Sequence, residues 1–303
     1  MEAESKAKEA ELKAIQLDDS LGEAHYNLAA SYFWHDWDWA AAEKEFQRAL
    51  ELNPNLAEAH GLYGWYLVAV GRIHDGLVQN RRALELDPLS PGLNTFTGQS
   101  LYFAHQYDQA IEQLQKSNQL DPNYWVSHDI LGWVYLEMGH SPEAIEEFKH
   151  ARWLVGDAIA EPAASLGYAY AVSGQRDKAE RMIAELQSKS KQTFVSPFML
   201  AMIYTGLGEK NRAFHWLDKA YVERSWFWRT LQLIQSLTSC GQTRASRSFC
   251  AVWGYRMSDH YAECPGNRLI TSSGQTFWFG WSLDGQPARG TQSSDVVLIR
   301  NFQ

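Results

Sequence analysis

Along residues 4–225, apolar and small residues recur with a helical period, and the pattern itself repeats about every 34 residues. Each unit holds two amphipathic segments. The first carries a small residue at Ala29, Gly64, Gly98, Gly132, Gly167 and Ala201, with a large one three positions on at Tyr32, Leu67, Leu101, Tyr135, Tyr170 and Tyr204. The second carries a small residue at Ala42, Gly76, Ala110, Ala144, Ala179 and Ala213, and another seven positions later at Ala49, Ala83, Ser117, Ala151 and Ala220, with Leu186 the exception. Small residues let two helices approach closely, and large ones fill the space between layers. Gly71, Gly139, Gly174 and Gly208 fall where a first helix should end in a left-handed residue. Leu52-Asn53-Pro54, Leu86-Asp87-Pro88 and Leu120-Asp121-Pro122 close three second helices, the proline stopping each. The pattern predicts a stacked array of helix pairs rather than one globular core.

Three segments follow. Residues 1–21 read as an N-terminal helix, the second half of a unit ending in Leu17-Asp18-Asp19, so the array is expected to begin inside a longer one. Residues 22–225 read as about six full units. The first has one extra residue in its turn, within Trp34-His35-Asp36-Trp37-Asp38-Trp39. Gly156 replaces the helix-ending proline of the fourth, and Ser188 to Thr193 is a longer link after the fifth. Residues 226–303 break with the pattern.

This spacing resembles the tetratricopeptide repeat (TPR) family across residues 4–225. The resemblance implies an all-α fold, a right-handed superhelix of helix-turn-helix repeats (an α-solenoid) whose first helices line a concave face. On that face it puts Tyr26, Asn27, Phe33, Trp34, Trp65, Gln99, Tyr102, Phe103, Trp133, Glu137, Tyr168 and Met202. Such an aromatic groove with few charges suits an extended or helical peptide with apolar anchors, because Trp and Tyr bury much area at low entropic cost. The alternative is that several of these rings pack only against neighbouring helices. The Lys/Asn clamp with which some TPR domains grip a C-terminal carboxylate is absent; its positions carry Tyr26, Ala30, Leu62 and Trp65. Three stretches narrow the resemblance to a bacterial subgroup in which the array follows a winged-helix or serine/threonine kinase domain: Trp37-Asp38-Trp39-Ala40 with Phe46-Gln47-Arg48-Ala49-Leu50, then Leu86-Asp87-Pro88-Leu89-Ser90, and Val195-Ser196-Pro197 with Ala201-Met202-Ile203-Tyr204. Neither partner domain's motifs occur in this sequence.

Charge and chemistry change this picture little. The 45% hydrophobic content suffices for a core, and the net charge of −9 argues against nucleic acid or acidic membranes as partners. No apolar run nears the roughly 20 residues that span a bilayer, Gly61 to Val70 being the longest, and MEAESKAKEA has no apolar signal core. A cytoplasmic location is expected. His25, His60 and His128 share one repeat position, which points to packing; no histidine or cysteine spacing fits a metal, and no cofactor is expected. Asp36 and Asp38 read as helix caps. No nucleophile–base arrangement is found, so an enzyme is not expected.

The tail differs in composition. Residues 227–303 hold seven Arg, four acidic residues, no Lys and all three cysteines, which leaves 20 basic and 32 acidic residues for positions 1–226, −12 against +3. Codons for Leu233 to Gly254 read one base out of phase can spell DPVLDKLRTDPRFKELLRRVG, an amphipathic string resembling the usual end of the same subgroup. A frameshift close to Trp226 is the expectation. Phe277-Trp278-Phe279-Gly280-Trp281-Ser282-Leu283-Asp284-Gly285 and Ser294 to Phe302 resemble the last blade of a TolB-like β-propeller, so an irregular tail with a short β-hairpin at most is expected. The functional readings are a scaffold that binds a protein or peptide in the groove, a sensing fragment of a regulator or kinase, and a non-functional frameshifted product.

Overall fold

The computed structural model describes residues 2–36, 38–223, 267–270 and 276–279. The expected frameshifted segment and everything after Phe279 lie outside them. The chain divides into two compact units, residues 1–162 and 163–303.

Among its described residues the first unit holds helices and their turns: α1 (Glu2–Leu17), α2 (Gly22–Ser31), α3 (Trp39–Leu52), α4 (Ala57–Ala69), α5 (Ile73–Leu86), α6 (Pro91–Phe103), α7 (Tyr107–Leu120), α8 (Trp125–Glu137) and α9 (Ser141–Val155). Helices pair as α2/α3, α4/α5, α6/α7 and α8/α9, and each pair stacks on the next through α3–α4, α5–α6 and α7–α8. The second unit holds α10 (Glu161–Val172), α11 (Arg176–Lys189), α12 (Pro197–Gly206) and α13 (Lys210–Val222). Its two described strands, β1 (Asn267–Ile270) and β2 (Thr276–Phe279), pair antiparallel with Asn267 opposite Phe279.

The small-residue columns explain why the pairs sit so close. A Cβ at Gly98 would stand 2.6 Å from Leu114 Cγ, and one at Gly132 would stand 2.6 Å from Phe148 Cε1. Glycine there lets a buried second-helix side chain press against the first helix's backbone. Gly71, Gly139, Gly174 and Gly208 adopt φ of 86, 83, 76 and 72°, the left-handed values that end their helices. The third unit has no glycine there, and His105 takes the conformation at φ 58°. The extra residue of the first full unit is absorbed as a π-helical turn over Tyr32–Asp36, after which Asp38 caps α3 by accepting from Ala41 N at 3.0 Å. Asp36 does not cap; it pairs with Lys8 of α1.

The repeated histidines tie each unit together. His25 Nδ1 meets Glu45 Oε2 at 2.6 Å and its Nε2 meets the Asp19 carbonyl at 3.2 Å. His60 meets Gln79 Oε1 at 2.6 Å and the Pro54 carbonyl at 3.0 Å. His128 meets Glu147 at 2.7 Å and the Pro122 carbonyl at 3.2 Å. In the pair between, Asn94 donates to the Pro88 carbonyl at 3.2 Å and accepts from Gln113. One side chain thus joins the incoming link, the first helix and the second helix, which holds the register of each pair.

A candidate peptide-binding face

The residues expected on the concave face do not share one environment. Phe33 (2% exposed), Phe103, Tyr168 and Met202 are buried, and Trp65 keeps only 7% of its surface. Tyr26, Trp34, Gln99, Tyr102, Trp133 and Glu137 are half-buried, and Asn27 is exposed. Ten of the twelve lie in the first unit; Tyr168 and Met202 lie in the second.

The π turn brings the first group together. Trp34 stacks on Trp65 with ring centroids 4.9 Å apart and planes 28° apart. Phe33 lies edge-on to Trp65 at 5.2 Å and to Tyr66 at 5.4 Å, beneath the stack. These offset and edge geometries suit the ring quadrupoles. The Trp65 indole Nε1 is buried and has no hydrogen-bond partner. Such a donor is costly to leave unpaired, at about 1–3 kcal/mol. Tyr26 lies on α2 of the same pair; burial, and then the charge of Glu58, pushes its hydroxyl pKa up.

A second group forms around the α6–α7 turn. Tyr102 packs on Phe103 at 5.1 Å and on Tyr107 at 6.1 Å. The Tyr107 hydroxyl meets His105 Nδ1 at 2.9 Å. Burial first, then the Glu137 carboxylate, pushes the Tyr107 pKa up to about 12. On α8, Trp133 rests edge-on against Phe148 at 5.5 Å and stays partly open to solvent. The surface therefore offers aromatic rings with few charged groups, an arrangement fit for binding apolar side chains. Among the described residues, no group of three or more His, Cys, Asp or Glu could hold a metal ion, and no helix is long and apolar enough to cross a membrane.

One exposed ring escaped the sequence reading. Trp153 on α9 is 76% exposed and lies edge-on to His150, which itself stacks on His128 at 4.2 Å. Its signal was present: the same position carries Glu51, Glu85 and Gln119 in the preceding units, so an aromatic residue breaks a polar column.

The chain superposes on a chain of the APC/C hetero-tetramer Cut9-Hcn1 with a TM-score of 0.58, covering 78% of this chain and 46% of that one at 17% identity. It superposes on PilW, a widely conserved type IV pilus biogenesis factor, at 0.54, covering 63% and 87% at 21% identity. For a thermophilic TPR protein of Thermus thermophilus the score is 0.52, covering 56% and 92% at 20% identity. The fold is a tetratricopeptide-repeat α-solenoid. In sequence, the chain is 30% identical over 126 residues to human tetratricopeptide repeat protein 13, matching 42% of this chain but only 14% of that protein's length. No protein-family model matches the chain.

Proposed function

We propose that the TPR array is a protein-binding scaffold that takes an extended or helical peptide on the half-buried aromatic face of its first unit. Apolar anchors of the peptide lie against Trp34, Tyr26, Tyr102 and Trp133, while Phe33, Trp65 and Phe103 back the surface from beneath. The observation that carries this reading is the Trp34–Trp65 stack over an indole N–H that has no partner. A carbonyl of a bound chain would supply the acceptor once Trp34 shifts. Tyr168 and Met202 belong to the second unit and support the core there. The array works without chemistry of its own, in the cytoplasm.

A displayed random-peptide library tests the reading. The chain selects peptides with aromatic or aliphatic anchors, and Trp34→Ala with Trp133→Ala loses them while circular dichroism keeps the helical signal. Equal selection by the double variant overturns the proposal. Trp65→Ala is the wrong variant, because a buried ring carries packing as well as contact.

The phrases shared with the C-terminal arrays of bacterial regulators and kinases favour a second reading, in which the scaffold docks a signalling partner. An in-frame winged-helix or kinase segment in the DNA upstream of Met1 supports it; unrelated DNA there removes it.

A further inference from the structure

Charge is sorted by helix in the first unit. Residues 1–162 hold 26 acidic residues against 11 Lys and Arg. None of those 11 lies on α2, α4, α6 or α8, the first helices of the four pairs. They fall on α1, on the second helices or, as Arg72, in the turn before α5. The first helices carry Glu23, Glu58, Asp129 and Glu137 instead. These helices touch in succession, α2 with α4, α4 with α6 and α6 with α8, and so form one side of the unit. The aromatic face lies on that side, which has carboxylates and no Lys or Arg of its own.

Two of the carboxylates stand beside the rings. The Glu58 charge reaches the Tyr26 hydroxyl on the neighbouring helix. The Glu137 charge reaches the hydroxyl of Tyr107, whose ring packs on Tyr102 at 6.1 Å. Asp129, Trp133 and Glu137 follow at steps of four along α8, so the half-open Trp133 ring has one carboxylate a turn before it and another a turn after. Glu58 is exposed and Glu137 half-buried, and both keep surface that a ligand can meet. Asp129 has one oxygen buried and adds its charge rather than a contact. The cations flanking the face are held in pairs: Lys8, which lies over the Tyr32 ring at 4.3 Å, with Asp36, and Arg72 with Glu43 and Asp75. Beside an apolar wall a carboxylate's field is screened less than in open water.

We propose that the peptide taken by this face is basic, with Lys or Arg beside its apolar anchors meeting Glu137 next to Trp133 and Glu58 next to Tyr26. This rests on the peptide-binding reading above and adds the partner's charge to it. The rings favour the same partner, because a cation is drawn to the face of an indole or a phenol. An acidic peptide is repelled by the same carboxylates and finds no Lys or Arg on α2, α4, α6 or α8 to offset that. An uncharged peptide gains from the rings alone.

The displayed library gives the first test. Among the selected peptides, Lys and Arg beside the apolar anchors should outnumber Asp and Glu severalfold. Anchors selected without that bias overturn the basic partner and leave the peptide face standing; no selection of anchors removes both. Synthetic peptides with Trp and Leu at fixed positions, and Lys, Gln or Glu between them, give the second test by fluorescence anisotropy with the full chain. The Lys peptide should bind about tenfold tighter than the Gln peptide at low salt, and the gap should narrow to about threefold in about 0.5 M salt. Glu58→Gln with Glu137→Gln should also cut the gap to about threefold while leaving the Gln peptide's affinity unchanged. Glu112→Gln with Glu143→Gln removes the same charge from α7 and α9 and should keep the tenfold gap. An equal loss in both pairs of variants would mean a response to total charge and overturns the assignment. Equal affinity for the Lys and Gln peptides, or tighter binding of the Glu peptide, overturns it too.

Discussion

The layer around α2–α4 and the layer around α5–α7 use one backbone register with opposite chemistry. In the first, Phe46 fills the space between helices, with Tyr63 at 5.4 Å, Tyr66 at 5.7 Å, and Phe33 and Trp65 beyond. In the second, the equivalent position is Asn80, fully buried, whose Nδ2 donates to Ser100 Oγ at 2.6 Å. Around it Thr95 meets Ser117 Oγ at 2.9 Å, and Ser117 donates to the Pro91 carbonyl at 2.9 Å. The aromatic layer draws its stability from buried area, which tolerates one unpaired indole. The polar layer is held by directed hydrogen bonds, with the Asn80 Oδ1 left unpaired, and gains direction more than energy. The small-residue columns on the first helices make both possible, because the interhelical distance is set before the filler residue is chosen.

The sharpest break in that contrast is Phe46→Ala. It removes a ring with no exposed surface, and we expect a loss of about 3–5 kcal/mol in a denaturant melt. A loss below about 1 kcal/mol would mean the layer collapses around the gap. Asn80→Ala should cost less, about 1–3 kcal/mol, since it strands the Ser100 hydroxyl but also removes an amide oxygen that already lacks a partner. If Asn80→Ala proves costlier than Phe46→Ala, the polar layer carries the array and the comparison inverts. The smallest effect concerns alkaline pH. Tyr107 titrates at about 12 in the folded chain, above the ordinary tyrosine value of about 10. A raised folded value means its stabilisation is intact below about pH 10 and is lost as pH rises toward about 12. Tyr107→Phe should flatten the fall in melting temperature across that window, beyond the loss of the His105 hydrogen bond that it also causes near neutral pH; an unchanged slope would show that the hydroxyl ionises as readily in the folded chain as in the unfolded one.

Much of this was legible in the residues. The left-handed turns could be read from Gly71, Gly139, Gly174 and Gly208, because only glycine adopts that backbone without strain. The extra residue before Trp39 announced an irregular turn, and Asp38 announced its cap. Asp36 was misplaced as a cap because its partner, Lys8, comes from a helix 28 positions earlier, and local capping rules see only a few residues. The shared position of His25, His60 and His128 pointed to packing. That each also grips the link carbonyl six residues before it depends on where the link turns, which spacing alone does not specify.

The candidate face was legible as a list and not as a surface. Trp34 and Phe33 are neighbours in the chain, yet one half-faces solvent and the other is core, because the π turn rotates them away from the helical register. Trp65 and Trp133 occupy the same repeat position, yet Trp65 is roofed by the Trp34 ring and buried, while Trp133 stays half-open. Period, spacing and residue size determined the helices, their pairing and their order on their own, since these follow from which side chains can be buried along one helix at a time. Which aromatic rings remain open and which polar atoms go unpaired were decided by tertiary structure. Those outcomes depend on the neighbour across each interface, and residues far apart in the chain supply it.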